Sequence, residues 1–201
     1  LLCRGMSSAQ LLALPTSQDP EHRAELRVMM AMTAAAYFTD NNLASVLLLR
    51  IASRSVQRGL TEVSAYGFMG VGLVLSGAFG KYESADELGR LACDLNERFN
   101  NAELRAKIGL FWATFMMCWT RPFAEVKVAL RAAHEVGLAG GDLIYAVYSA
   151  VTEVFFMVLA GDPLEDLCAR TEALVPLVRR RGLVDQTATL QYMLHVFGRV
   201  L

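Results

Sequence analysis

At 201 residues, 54% of them hydrophobic, the chain is long and apolar enough to bury the core of one sizeable domain. A formal net charge of -1 provides no basic footprint for a nucleic-acid backbone, so nucleic acid is excluded as a partner on electrostatic grounds. The four cysteines, Cys3, Cys93, Cys118 and Cys168, share no close spacing and mostly fall in apolar stretches, which reads as reduced core thiols and a cytoplasmic location rather than disulfides or a metal site.

In chain order, residues 1–18 read as a linker or the end of a preceding helix, with Leu14-Pro15 in a loop; residues 19–201 read as a helical repeat domain. The start at Leu1, without a basic segment leading into an apolar core and cleavage site, reads as a piece of a larger protein with no secretory signal. Asp19 caps a helix with Pro20 in its first turn, running to about Phe38, and Leu43 to Arg58 is its partner, ended by Gly59. Thr61 is expected to cap the next helix, to about Phe79, which pairs with Tyr82 to Phe99. Ala102 to Trp119 with Pro122 to Val136 makes the third hairpin, and Leu143 to Leu159 with Pro163 to Arg181 the fourth. Asp162, Pro163 and Glu165 predict a capping box at that boundary. Pro176 is expected to kink or end the helix that Pro163 opens. A final helix, Val184 to Leu201, is left unpaired.

The hairpins recur with a period of 41 residues. Tyr82, Ala85, Gly89 and Ala92 map onto Phe123, Val126, Leu130 and Ala133, then onto Leu164, Leu167, Thr171 and Leu174, and backwards onto Asn41, Ala44, Leu48 and Ile51. The breaks at Gly59, Asn100, Gly141 and Gly182 keep the same interval. A period in this range predicts an all-α fold, an α-α superhelix of stacked antiparallel hairpins, because one such unit cannot bury its apolar face alone. Second helices are charged on one side, with Asp86 and Arg90, and Asp94 and Arg98, at i,i+4 spacing. First helices are nearly uncharged. Val63 to Gly80 is 18 residues without a charge, the lower end of spanning length. Its five glycines and the alternation with charged helices favour a buried helix over membrane insertion.

Gly80, Tyr82, Ala85 and Ala92 resemble the second half of a tetratricopeptide repeat, with a period of 41 here against about 34 in that family and without its first-helix tryptophan. The runs LPTSQDPEHRAELRVMM (Leu14 to Met30) and RGLTEVSAYGFMGVGLVLSGAFGKYE (Arg58 to Glu83) resemble the helical middle region of large bacterial signalling proteins. In those proteins a serine/threonine kinase-like domain and a predicted signalling ATPase precede this region, and a sensor histidine kinase follows it. Gly59, Thr61, Ser64, Ala65 and Gly67 are the sharpest part of the likeness. This likeness implies a regulatory module between catalytic domains, and the tetratricopeptide likeness implies a right-handed superhelix.

No chemistry of its own is legible. The glycines of Val63 to Gly80 lie inside an apolar helix and are not followed by the Lys-Ser or Lys-Thr of a phosphate loop. His22, His134 and His195 belong to different hairpins, so no metal, cofactor or catalytic residue is expected. Arg179 to Arg181 close a helix, where positive charge complements its dipole. The function read from this is a non-catalytic interaction scaffold and regulatory module of a bacterial signal-transduction protein, linking ATPase and kinase domains to a sensor histidine kinase. The alternative is a small-molecule sensor holding an apolar ligand in the concave groove. Aligned on the tetratricopeptide pattern, that groove is lined by Phe111, Phe115 and Trp119, by Thr152 and Phe156, and by Leu190, Met193 and Phe197. Either these residues are ordinary core, or the groove is covered by a protein partner, a flanking domain of the same polypeptide, or a second copy of the chain in a homodimer.

Overall fold

Side-chain caps set five of the first eight α-helix starts. In a computed structural model, which describes residues 5–180 and 184–197, the elements are α1 (Ser8–Leu12), α2 (Pro20–Thr39), α3 (Asn41–Arg58), α4 (Ser64–Phe79), α5 (Tyr82–Phe99), α6 (Ala102–Phe115), a 3-10 turn (Met117–Trp119), α7 (Phe123–Gly140), α8 (Leu143–Ala160), α9 (Leu164–Arg180) and α10 (Val184–Phe197). No strand occurs among the described residues. Asp19 accepts from the backbone N–H of Glu21 at 2.9 Å and of His22 at 3.4 Å, with Pro20 in the first turn of α2. Asp40 caps α3 in the same way, through Asn42 and Leu43. Gly182, Arg181 and the segment after Phe197 lie outside the described residues.

Helix boundaries carry the period. The second helices begin at Asn41, Tyr82, Phe123 and Leu164, and α6, α8 and α10 begin at Ala102, Leu143 and Val184, in each series 41 residues apart. The buried face repeats with them: Ala44, Leu48 and Ile51 in α3; Ala85, Gly89 and Ala92 in α5; Val126, Leu130 and Ala133 in α7; Leu167, Thr171 and Leu174 in α9. One turn further on, Ser55, Asn96, Gly137 and Val178 are buried as well. The turns at Gly59, Asn100 and Gly141 all take positive φ, of 96, 47 and 77°. Asn100 does so as an asparagine, which tolerates the left-handed region better than most side chains.

The chain forms two compact units, Leu1–Thr120 and Arg121–Leu201. In the first, α2 packs on α3, α3 on α4, α4 on α5 and α5 on α6; α4 also meets α6, and α1 rests on α5. Its core holds Leu26, Ile51, Phe68, Met69, Leu91, Leu95, Leu104, Ile108 and Met116. Two glycines let helices approach closely. A Cβ on Gly67 would lie 2.6 Å from the backbone nitrogen of Ala52, so α4 touches the α3 main chain there. A Cβ on Gly89 would lie 2.1 Å from Cδ1 of Trp112, whose indole N–H donates to Asp86 at 2.7 Å. In the second unit α7 packs on α8, α8 on α9 and α9 on α10, with α10 also touching α8.

The segment before α2 is tied across the first unit. Ser17 N–H donates to the Leu60 carbonyl and Leu60 N–H to the Pro15 carbonyl, both at 2.8 Å, and the buried His22 ring bonds the Gly59 carbonyl through Nε2 at 3.1 Å. Arg98, expected to pair with Asp94, instead donates to the carbonyls of Leu12 and Leu14 and to the Thr16 hydroxyl. Glu62 receives Arg23 and Arg27 of α2. Burial works against its charged form, but hydrogen bonds from its own backbone N–H and Arg27, with the charges of Arg23 and Arg27, outweigh that and hold its carboxyl below the ordinary 4.5. The two runs that carry the family resemblance thus meet in space.

Several boundaries differ from the sequence reading. Thr61 does not cap α4 directly: it bonds Val63 N–H and Ser64 inside a preceding turn, and the helix begins at Ser64. The third first-helix does not reach Trp119. It ends at Phe115, where the Ser76 hydroxyl donates to the Phe115 carbonyl at 2.7 Å and Met116 turns fully inward. The capping box at Asp162 does not form: the helix starts at Leu164, with the Pro163 carbonyl accepting from Leu167 N–H, and both Asp162 oxygens accept from Lys127 Nζ, at 2.6 and 2.5 Å. The helix containing Pro176 continues to Arg180. Among the described residues one helix, α8, is long and apolar enough to cross a membrane by length and composition, and half of it is buried inside the protein; the uncharged stretch gives a helix of 16 residues.

The contact at Gly67 yields a direct test. Gly67→Ala should destabilise the first unit by about 1–3 kcal/mol through overpacking against the α3 backbone, despite the better helix propensity of alanine. Urea denaturation followed by circular dichroism measures it, and an unchanged or raised midpoint would contradict the close packing.

Candidate functional site

The aromatic residues expected to line a groove fall into two chemical situations. In the first unit, Phe111 is partly buried against the core and lies 5.7 Å, ring to ring, from Phe115. Phe115 is 45% exposed and Trp119 60% exposed; Trp119 stacks on Tyr82 with centroids 5.0 Å apart and planes at 22°. The 3-10 turn after α6 is what swings Trp119 away from the helix axis and onto the first turn of α5. These two side chains are open apolar surface.

In the second unit the same alignment selects core. Phe156 is buried and meets Phe123 edge to face at 5.4 Å. Leu190 and Met193 are buried in a cluster with Val147, Val151, Val154, Leu167, Leu174 and Val178. Thr152 is partly buried, and the side chain of Phe197 lies outside the described residues. Phe156, Leu190 and Met193 therefore have no free face to offer a partner, because their own neighbours already cover them.

A polar feature of the second unit escaped sequence reasoning. Glu153 is completely buried in the middle of α8 and is held from both sides. Arg131 of α7 donates its Nε to Oε1, and Arg170 of α9 donates Nε and Nη2 to Oε2 at 3.1 and 2.7 Å. An ionised carboxylate loses its hydration on burial, and two charge-assisted partners on adjacent helices replace it. His134, one turn after Arg131, bonds the Ala146 carbonyl through Nδ1 at 2.8 Å. The signal available in the sequence was Glu153 itself, a lone charge in an apolar helix, but its partners are 22 and 17 residues away.

Other reactive side chains are quiet. Cys93, Cys118 and Cys168 are free thiols; Cys3 lies outside the described residues. Burial pushes the Cys93 thiol up to about 12, with Asp94 and Glu97 adding to it, so it stays protonated at neutral pH. Among the described residues no three His, Cys, Asp or Glu side chains gather as a cation cage. His195 is exposed on α10. A wide groove of about 1230 Å³ runs beside α1, the end of α4 and α5, with Leu75, Phe79 and Leu88 among apolar lining residues and Glu83, Glu87 and Asp94 among acidic ones.

Against known proteins, the chain is 23% identical over 143 residues to a protein described as "Hybrid signal transduction histidine kinase G" from Dictyostelium discoideum. The alignment covers 70% of this chain but 4% of that relative, so the likeness is to a small part of a very large signalling protein. No family model matches the chain, and no solved structure matches it.

The two aromatic environments predict opposite mutant behaviour. Phe156→Ala should cost about 3–5 kcal/mol of folding stability in the second unit, the usual penalty for emptying a core aromatic site. Trp119→Ala should cost about 1 kcal/mol, the value of a partly exposed aromatic stack. Denaturant midpoints of both variants check this, and equal losses would contradict the placement.

Proposed function

We propose that this chain is a non-catalytic helical module of a multidomain histidine-kinase-type signalling protein, built as a tetratricopeptide-like solenoid, and that it holds and conformationally couples the domains on either side of it. The observation that carries the reading is the likeness over most of this chain to a small part of a hybrid histidine kinase. The 41-residue recurrence of helix starts, with the same face buried in α3, α5, α7 and α9, supports a stacked-repeat architecture. Stacked helical repeats serve as extended binding surfaces, and Phe115 and Trp119 are apolar side chains of the kind that anchor such contacts. On this reading ATP binding and phosphotransfer belong to flanking domains, and the module works in the cytoplasm with those domains or a second copy as partners.

Two measurements test it. Purified chain should bind no ATP at micromolar concentrations in calorimetry and should transfer no phosphate; saturable micromolar binding would remove the non-catalytic reading. In sedimentation with its flanking domains, or with itself at high concentration, Trp119→Ala should weaken association by about 2 kcal/mol or more, as for a hot-spot aromatic. Association that is indifferent to Trp119, or absent altogether, would contradict its role as an anchor.

A further inference from the structure

The paired arginines over Glu153 do more than neutralise it. One buried carboxylate needs one well-placed cation; here two guanidinium groups converge on it from α7 and α9, so guanidinium donors are left over at the surface of the second unit. Glu153 engages only one edge of each. Among the described residues, neither Nη of Arg131 and not Nη1 of Arg170 has an acceptor, whereas Arg170 Nε and Nη2 and Arg131 Nε are committed to the carboxylate. Both arginines line a cleft of about 420 Å³, together with His134, Glu135 and Leu138. The Nδ1 of His134 is fixed on the Ala146 carbonyl, which leaves Nε2 as its uncommitted nitrogen.

We propose that this cleft is a binding site for a small oxyanion, a carboxylate or phosphate group carried by a free metabolite, gripped by the outer edges of Arg131 and Arg170. The proposal goes beyond the scaffold reading and does not depend on it. Three features favour it. The arginine forks are oriented in advance by a carboxylate that is 0% exposed, so little side-chain freedom remains to be lost on binding. Planar guanidinium donors match the geometry of carboxylate and phosphate oxygens and bind them with two parallel hydrogen bonds. The local charge also limits the ligand: Arg131 and Arg170 are balanced by Glu153 and by Glu135 on the rim, so the cleft has donors for one anionic group but no field to hold a polyanion.

Thermal unfolding of the whole chain, titrated with sodium phosphate or sodium succinate against sodium chloride at matched ionic strength and neutral pH, tests this. The expected result is a saturable rise in Tm with phosphate, succinate or both that chloride does not reproduce; which salt acts identifies the group. Arg131→Gln leaves Arg170 to hold Glu153, so the variant should fold, and it should weaken the apparent affinity roughly tenfold or more, the loss of a charge-assisted contact. Two-dimensional NMR provides a readout that does not rest on stability, with shifts centred on Arg131, His134 and Arg170. Phosphate and succinate responses that both track chloride would overturn the proposal, as would an Arg131→Gln variant that responds like the parent.

Discussion

Each helix of this protein has more apolar surface than one neighbour can cover, and the chain meets that constraint by burying the same register in every second helix. Positions equivalent to Ala85, Gly89 and Ala92 are small or apolar in all four cases and buried, so a neighbouring helix of the same unit can come close. At Gly67 the approach reaches the α3 backbone, and at Gly89 the place of a side chain is filled by the Trp112 indole. The uncharged character of α4 follows from that arrangement: Ser64 through Gly72 are buried on every face.

Polar groups are used where the apolar register leaves a joint. The loop before α2 is joined to Leu60 by two backbone hydrogen bonds, and Arg98 donates to two of its carbonyls, so backbone groups that would otherwise lie under-satisfied at the surface of α5 gain partners. In the second unit Glu153 does similar work from within, cross-linking α7, α8 and α9 through two arginines. Such a cluster is costly to desolvate, and the two arginines offset that cost for a carboxylate set in a helix as apolar as α8.

Local signals made much of this legible. Asp19-Pro20 specified the start of α2, and the small residues at heptad spacing specified the buried face of α5 and its equivalents, because both depend on neighbours within a few residues. What failed depended on distant ones. Asp162 looked like a cap, but both its oxygens accept from Lys127, 35 residues away. Arg98 looked like a partner of Asp94 until a segment more than 80 residues away offered carbonyls. Phe156 and Trp119 were indistinguishable as aromatics at helical spacing, and only packing separates a core ring from an open one. The candidate groove was therefore legible as apolar positions but not as surface or core.

The repeated register is the centre of the account, and hydrogen exchange resolved to single amides measures it most directly. Slow exchange is expected through the middles of α3, α4, α5, α7 and α8, interrupted by fast exchange at the exposed turns Asn100 and Gly141, 41 residues apart. Slow exchange that runs through those turns, or helices that exchange as fast as the turns between them, would contradict it.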